Sequence, residues 1–179
     1  CCQIDLLKLF ENGFSTGHGF LREPKDIRSY AALACIAIQA NQNDQHGGQS
    51  IPTFDYAMAP GVKKTYKKLF ADGVVKALAL IGADEPETAK DAILADLAER
   101  GITPSLGTAR EVENALQASL IPYCKDDAAR VASVILSFTQ KEVERATYQA
   151  MEALVHNLNT MHSRAGAQIP FSSLNYGTD

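Results

Sequence analysis

Only the two ends of this chain carry strand-like sequence; the long stretches between them read as helix. At one end, Ile169-Pro170-Phe171-Ser172-Ser173-Leu174-Asn175-Tyr176 mixes apolar and polar positions as a short strand does, and Gly177 ends it. At the other, the chain enters extended, turns helical around Leu6 and stops at Asn12-Gly13. A lone strand leaves its own N–H and C=O groups without partners. The two end strands are therefore expected to pair with each other or with a segment outside the chain. The chain opens on Cys1-Cys2 without an initiator Met and closes on Asn175-Tyr176-Gly177-Thr178-Asp179. Both ends read as cuts in a larger α/β protein.

The interior patterns are helical. Ile27, Ala31, Ala34 and Ile38 form one stripe in a helix expected over 25–43, ended by Gly47-Gly48. Residues 14–24, with Gly17, Gly19 and Pro24, read as an irregular loop. Pro52 and Pro60 bracket a connection, and a second helix is expected over 56–81, with Met58, Val62, Tyr66, Leu69, Phe70 and Gly73 on its apolar face. Residues 84–107 suggest a peripheral helical hairpin started by Pro86 and ended by Gly101. Thr108 and Glu111 have capping-box spacing for a helix to Leu120, which Pro122 ends. The longest helix is expected over 126–163, capped by Asp126 or Asp127 and stopped by Gly166, with Thr147, Met151, Leu154, Leu158 and Met161 at heptad spacing.

A net charge of −4 gives no bulk attraction to nucleic acid. The apolar runs fall far short of the ~20 residues a membrane span requires. No basic, then apolar, N-terminal pattern suggests a secretory signal. The expectation is a soluble cytoplasmic protein with neither nucleic acid nor membrane as partner. The four cysteines, Cys1, Cys2, Cys35 and Cys124, match no zinc spacing and are too few for a disulfide scaffold, so no metal site is expected in this stretch. Cys35 and Cys124 read as small buried hydrophobes; Cys1 and Cys2 are the candidates for thiol chemistry.

Three constellations could carry binding. Asn41-Gln42-Asn43-Asp44-Gln45-His46 is either a solvated helix end or a polar network that contacts a nucleotide. Lys64 and Lys68, one helical turn apart, are either a solvated face or a phosphate grip. His156 and His162 are six apart, which turns them about 240° around a helix, so they are no metal pair; Asn159 and His162 could face a partner strand instead. No phosphate loop, dinucleotide fingerprint or nucleophile elbow is present.

Several phrases together resemble the anaerobic (class III) ribonucleoside-triphosphate reductases, the glycyl-radical branch of the ribonucleotide reductases. They are Cys1-Cys2-Gln3-Ile4-Asp5-Leu6, Glu23-Pro24-Lys25, Asn43-Asp44-Gln45-His46-Gly47-Gly48, residues 55–68, His156-Asn157-Leu158-Asn159-Thr160-Met161-His162-Ser163 and residues 167–178. Their order matches the family from end to end, with 84–125 the variable part. The resemblance implies a mainly helical α/β fragment, the first part of a ten-stranded α/β barrel threaded by a finger loop, with 1–179 a partial barrel domain. It implies that the thiyl-bearing finger loop, the glycyl radical and a structural zinc lie beyond Asp179, and an ATP-cone before Cys1. No cofactor belongs to this stretch itself.

By the same resemblance, Cys1, with Cys2 as the alternative, exchanges hydrogen with the ribose 2′ position of a ribonucleoside triphosphate. A thiol S–H bond is weak enough for that role. The tail strand lines the substrate site, with Ser172, Asn175, Gly177 and Thr178 as binding residues; a Gly-Thr turn can offer N–H groups to phosphate. An allosteric dNTP or ATP effector binds where helices of two subunits meet, at 25–43 and 140–163, with Lys25 and Lys68 on phosphates and Gln39 nearby. The implied partners are substrate, effectors, a radical-SAM activating enzyme and a second copy of the chain. Alternatives of other classes are a non-enzymatic helical dimerisation module, with its seam along the Ala-rich and heptad stripes, and a thiol redox sensor built on Cys1-Cys2.

Overall fold

The computed structural model describes residues 2–16, 19–44, 47–107, 109–160 and 171–177. Thr108, Gly166 and the helix end expected over 161–163 lie outside them. In chain order the elements are β1 (Cys2–Gln3), α1 (Leu6–Asn12), β2 (Phe14–Ser15), β3 (Phe20–Leu21), α2 (Ile27–Asp44), β4 (Gln49–Ile51), α3 (Phe54–Leu80), α4 (Pro86–Glu99), α5 (Ala109–Cys124), α6 (Ala128–Thr160) and β5 (Ser172–Leu174). A 3-10 turn, Lys125–Asp127, joins α5 to α6. The chain is thus mainly helical with a few short strands. Its residues cluster into two compact units, Cys1–Lys64 with Ala146–Asp179, and Thr65–Arg145.

The first unit holds a three-stranded parallel sheet in the order β1-β4-β5. The expectation that the end strands pair with each other or with an outside segment is corrected here. Both pair with β4, a strand from the chain's interior: Cys2 and Gln3 align with Gln49 and Ser50, and Gln49, Ser50 and Ile51 with Ser172, Ser173 and Leu174. Three residues between Gly48 and Pro52 are too few to show a period, so the strand is visible only once its neighbours supply its ladder. Likewise, 14–24 is not wholly irregular. Phe14 and Ser15 pair antiparallel with Leu21 and Phe20.

The core of this unit lies under the sheet. Ile4, Ile51, Ile38, Ala34, Cys35, Phe54, Ala150 and Leu154 are buried together, with Leu174, Met151 and Leu158 packed against them. The α2 stripe read from the sequence is buried, and the Leu154 stripe of α6 packs on the same core. Gly61 is a close-approach position: a Cβ there would stand 2.8 Å from ring carbons of Tyr30. Asp5 caps α1 by accepting the Lys8 N–H at 3.3 Å.

The second unit is helical among its described residues. Tyr66, Phe70, Val74 and Leu78 of α3 are buried, as are Ile93 and Leu97 of α4, Leu116 and Leu120 of α5, and Ala132 and Ile135 of α6. Residues 84–107 contain one helix, α4, which packs on α5 rather than forming a hairpin of its own. Pro60 sits inside α3 and Pro122 inside α5, correcting both as breaks. Each removes one N–H, and the carbonyl one turn earlier loses its donor. At Pro60 that carbonyl belongs to exposed Tyr56, where water can serve it. Asp126 and Asp127 lie in the 3-10 turn before α6 rather than at a simple cap, and Asp127 pairs with Arg130 at 3.1 Å.

Candidate functional site

The parallel sheet sorts its side chains by alternation. Ile4, Ile51 and Leu174 face the helix-covered core. Two residues earlier in each strand stand Cys2, Gln49 and Ser172, which form one register row on that same side. Gln3, Ser50 and Ser173 form the row on the opposite face. Ser173 Oγ donates to Asn175 Oδ1 at 3.1 Å, so Asn175 joins this polar face.

Cys2 is half-buried. Its Sγ donates to Asn41 Oδ1 and to the Gln3 carbonyl, both at 3.8 Å. Asn41 stands in the last turn of α2, and its Nδ2 donates to Gln49 Oε1 at 2.7 Å. Gln49, in the central strand, is 2% exposed. Its Nε2 has no hydrogen-bond partner among the described residues. Leaving a buried donor unpaired costs about 1–3 kcal/mol, so an apolar side chain would suit this position better for stability alone. Beside the thiol opens a groove of about 710 Å³ lined by Cys2, Asp5, Lys8, Phe14, Thr16, Asn41 and neighbours.

The tail is clamped to the start of α3. The Asn175 N–H donates to the Ile51 carbonyl at 3.0 Å, and the Asn175 carbonyl accepts from Phe54 N–H at 2.8 Å. That bond satisfies one of the donors a helix start leaves open. The Gly177 N–H donates to both carboxylate oxygens of Asp55 at 3.2 Å, and Tyr176 packs edge-on against Phe54 with centroids 5.9 Å apart. Thr53, at φ +50, makes the tight turn from β4 into α3 that places Asp55. The N–H expected to await a phosphate thus already holds a carboxylate.

The structure therefore brings Cys2 and Ser172 into one row of the sheet, two strands apart, and ties Asn175 and Gly177 to the start of α3. Cys1 and Thr178 lie outside the described residues. Lys25 is exposed just before α2, while Gln39 is half-buried on it. Twelve residues separate Gln39 from the start of α2 at Ile27, about 18 Å along the axis. Lys68 is exposed and belongs to the second unit. Lys64 is not free for phosphate. It pairs with Glu23, donates to the Pro24 carbonyl at 3.0 Å and to Tyr30 Oη at 3.3 Å, and its ammonium pKa is raised chiefly by the hydrogen bond to Glu23.

The remaining cysteines behave as small buried groups. Burial pushes the Cys35 thiol up, against a smaller opposing effect of Asn157, and Sγ donates to the Leu154 carbonyl at 3.8 Å. Burial also raises the half-buried Cys124, with Asp127 adding to it. Among the described residues no group of three or more His, Cys, Asp or Glu side chains is placed to hold a metal ion. Among them too, no helix is long and apolar enough to cross a membrane.

Sequence reasoning flagged Asn41 within its polar cluster and missed Gln49 and Ser173 altogether. The available signal was weak: a polar residue between a Gly-Gly pair and Ser-Ile-Pro.

Comparison with known proteins comes to one family. The family model for anaerobic ribonucleoside-triphosphate reductase matches residues 1–179. A protein of Enterobacteria phage T4 named anaerobic ribonucleoside-triphosphate reductase is 24% identical over 178 residues. The match covers 99% of this chain and 20% of that protein, so the chain spans a fifth of its relative's length.

Proposed function

This chain belongs to the anaerobic ribonucleoside-triphosphate reductase family, and on that premise we propose that it forms the opening strands and effector helices of a barrel that reduces ribonucleoside triphosphates to deoxyribonucleoside triphosphates by thiyl-radical chemistry. The observation that carries the reading is the parallel sheet itself. It draws the Cys-bearing first strand and the Ser- and Asn-bearing tail strand onto β4, with a polar face of Gln3, Ser50, Ser173 and Asn175. In a barrel, such a face would point inward toward substrate.

Within this reading Cys1 exchanges hydrogen with the ribose; the alternative, Cys2, stands in the row on the helix-covered side of the sheet, opposite that polar face, which favours Cys1. Asn175, Gly177 and Thr178 hold the substrate's polar groups, with Ser172 of the same strand reaching substrate only from the opposite side of the sheet, and the Asp55 carboxylate holds the Gly177 turn in shape before substrate enters. The radical-bearing glycine, the finger loop, the zinc and the ATP-cone belong to parts of the protein outside this stretch, as does the surface for the activating enzyme. The protein works in the cytoplasm.

The effector reading places a dNTP or ATP between two copies, with Lys25, Gln39 and Lys68 as contacts. A groove of about 310 Å³ between α2 and α6, lined by Arg28, Ala31, Ala32, Gln149, Ala153 and Asn157 among others, supports close approach there. Lys25, just before α2, and Gln39, about 18 Å along its axis from Ile27, sit too far apart for one short anion to touch both, so a ligand in contact with both would have to be extended. The non-enzymatic dimer module loses its main support, because the Leu154 stripe that would form its seam packs into the chain's own core.

The test is anaerobic turnover of the complete, radical-loaded protein on a ribonucleoside triphosphate. Cys1→Ser is expected to abolish deoxynucleotide formation while leaving substrate binding in place. Retention of turnover by both Cys1→Ser and Cys2→Ser would remove the cysteine pair from the mechanism.

A further inference from the structure

In the helical unit, the ends of α3 and α5 carry exposed apolar side chains around one groove. Leu80, which closes α3, is 88% exposed, and Ile121 in the last turn of α5 is 53% exposed; Ile81 and Tyr123 beside them are also open to solvent. The groove, about 410 Å³, is lined by Ile81, Pro122 and Tyr123 together with Asp84 and Glu85 from the approach to α4. Large apolar side chains scattered singly over a surface carry no message, but a cluster rimmed by polar groups marks a place that another molecule covers.

The charge around the groove selects the kind of molecule. Asp84 and Glu85 are exposed, and neither joins an ion pair among the described residues. Both α3 and α5 end here without a basic residue in the last turn, so the partial negative charge of two helix C-termini adds to the carboxylates. The start of α4 brings a positive end, but Glu85 at its cap and Glu87 in its first turn already face it. No lysine, arginine or histidine is among the lining residues; Lys125, directly after α5, is not one of them. We propose that this groove docks a segment of a second protein in which an apolar side chain is flanked by lysine or arginine. The apolar side chain enters between Ile81 and Tyr123, and the flanking cation meets Asp84 and Glu85. Nucleic acid and anionic membrane are disfavoured, because the same carboxylates repel phosphate. The inference stands on the helical unit alone and does not depend on the reductase reading.

The test titrates the complete protein against a fluorescein-labelled peptide of alternating lysine and leucine, with a glutamate-leucine peptide as its charge-reversed counterpart, at about 0.15 M salt. Anisotropy is expected to show saturable binding of the first peptide only, and bound peptide should slow hydrogen exchange of the amides over 82–88. Tyr123→Ala is expected to weaken binding about tenfold. Asp84→Asn with Glu85→Gln is expected to weaken it about threefold, and these two exposed positions keep the test independent of any folding defect at Tyr123. Glu99→Gln with Glu111→Gln removes the same charge at the far ends of α4 and α5 and should leave binding unchanged. Equal affinity for the two peptides would overturn the proposal, and so would an equal loss in the far-end variant, since general charge attraction would then account for the binding. Absence of binding would overturn it as well; slow exchange over 82–88 without peptide would in that case show another part of the same protein seated in the groove.

Discussion

The two compact units treat buried polar groups differently. In the helical unit such groups close on their own helix or the next: Thr139 Oγ1 donates to the Ile135 carbonyl at 2.8 Å, and Ser119 Oγ to the Ala115 carbonyl at 2.9 Å and to Asp96. In the sheet-bearing unit, among the described residues, Gln49 Nε2 on β4 and Thr147 Oγ1 on α6 are buried without a hydrogen-bond partner. A helix can offer a hydroxyl the carbonyl one turn away, as Thr139 and Ser119 show, although Thr147 on α6 does not use one. A three-residue parallel strand offers nothing local, and its polar side chains depend on partners far along the sequence. The unit that carries the cysteine is the one whose polar groups are not all provided for, as expected where packing serves something besides stability.

That contrast can be broken at several points. The largest effect comes from the two cores. Ile38→Ala in the first unit and Leu116→Ala in the second each remove a side chain about 1% exposed or less. Each is expected to cost about 2–5 kcal/mol. Hydrogen exchange should show the losses staying apart, with Ile38→Ala exposing the amides of β1, β4 and β5 and Leu116→Ala those of α4 and α5. Equal loss of protection in both regions from either variant would show that the units do not open independently.

A smaller effect is expected at the tail clamp. Asp55→Ala removes the acceptor of the Gly177 N–H and a carboxylate in the first turn of α3. It should cost about 0.5–1 kcal/mol and raise proteolytic cleavage after β5. An unchanged cleavage rate would mean that the Asn175 backbone bonds alone hold the tail.

The smallest effect lies in the helical unit and depends on pH. The Ser119 hydroxyl first, then Arg100, hold the Asp96 carboxyl below its ordinary range. A carboxyl with a folded value below its unfolded one adds stability above the unfolded value and loses it as pH falls through the folded one. Urea midpoints should therefore fall on acidification from about pH 5 to pH 2, and less steeply in Asp96→Asn. Parallel acid limbs for the two proteins would place the sensitivity elsewhere.

Much of the helical framework was legible because helices announce themselves over many residues. The stripe from Ile27 to Ile38, the long apolar face around Phe70 and the Pro86 start all stand where periodicity and caps put them. The prolines misled, since a long helix tolerates one missing N–H where water or a final turn can compensate. The site was legible only in part. Cys2 and the tail residues could be picked out by resemblance, and Asn41 by its polar neighbours. Gln49 could not, because its importance lies in a bond to a residue on another element and in a donor left without one.

By itself the sequence determined that this chain is mainly helical, which faces of its helices are apolar, and that its end strands could not stand alone, since each follows from local periodicity and from the backbone's own need for partners. Only the tertiary structure decided what completes the sheet. It chose an interior strand of three residues, and with it set Cys2 beside Gln49 and pinned the tail to α3. Pairing across dozens of residues depends on long-range packing, and no local pattern in three residues can encode it.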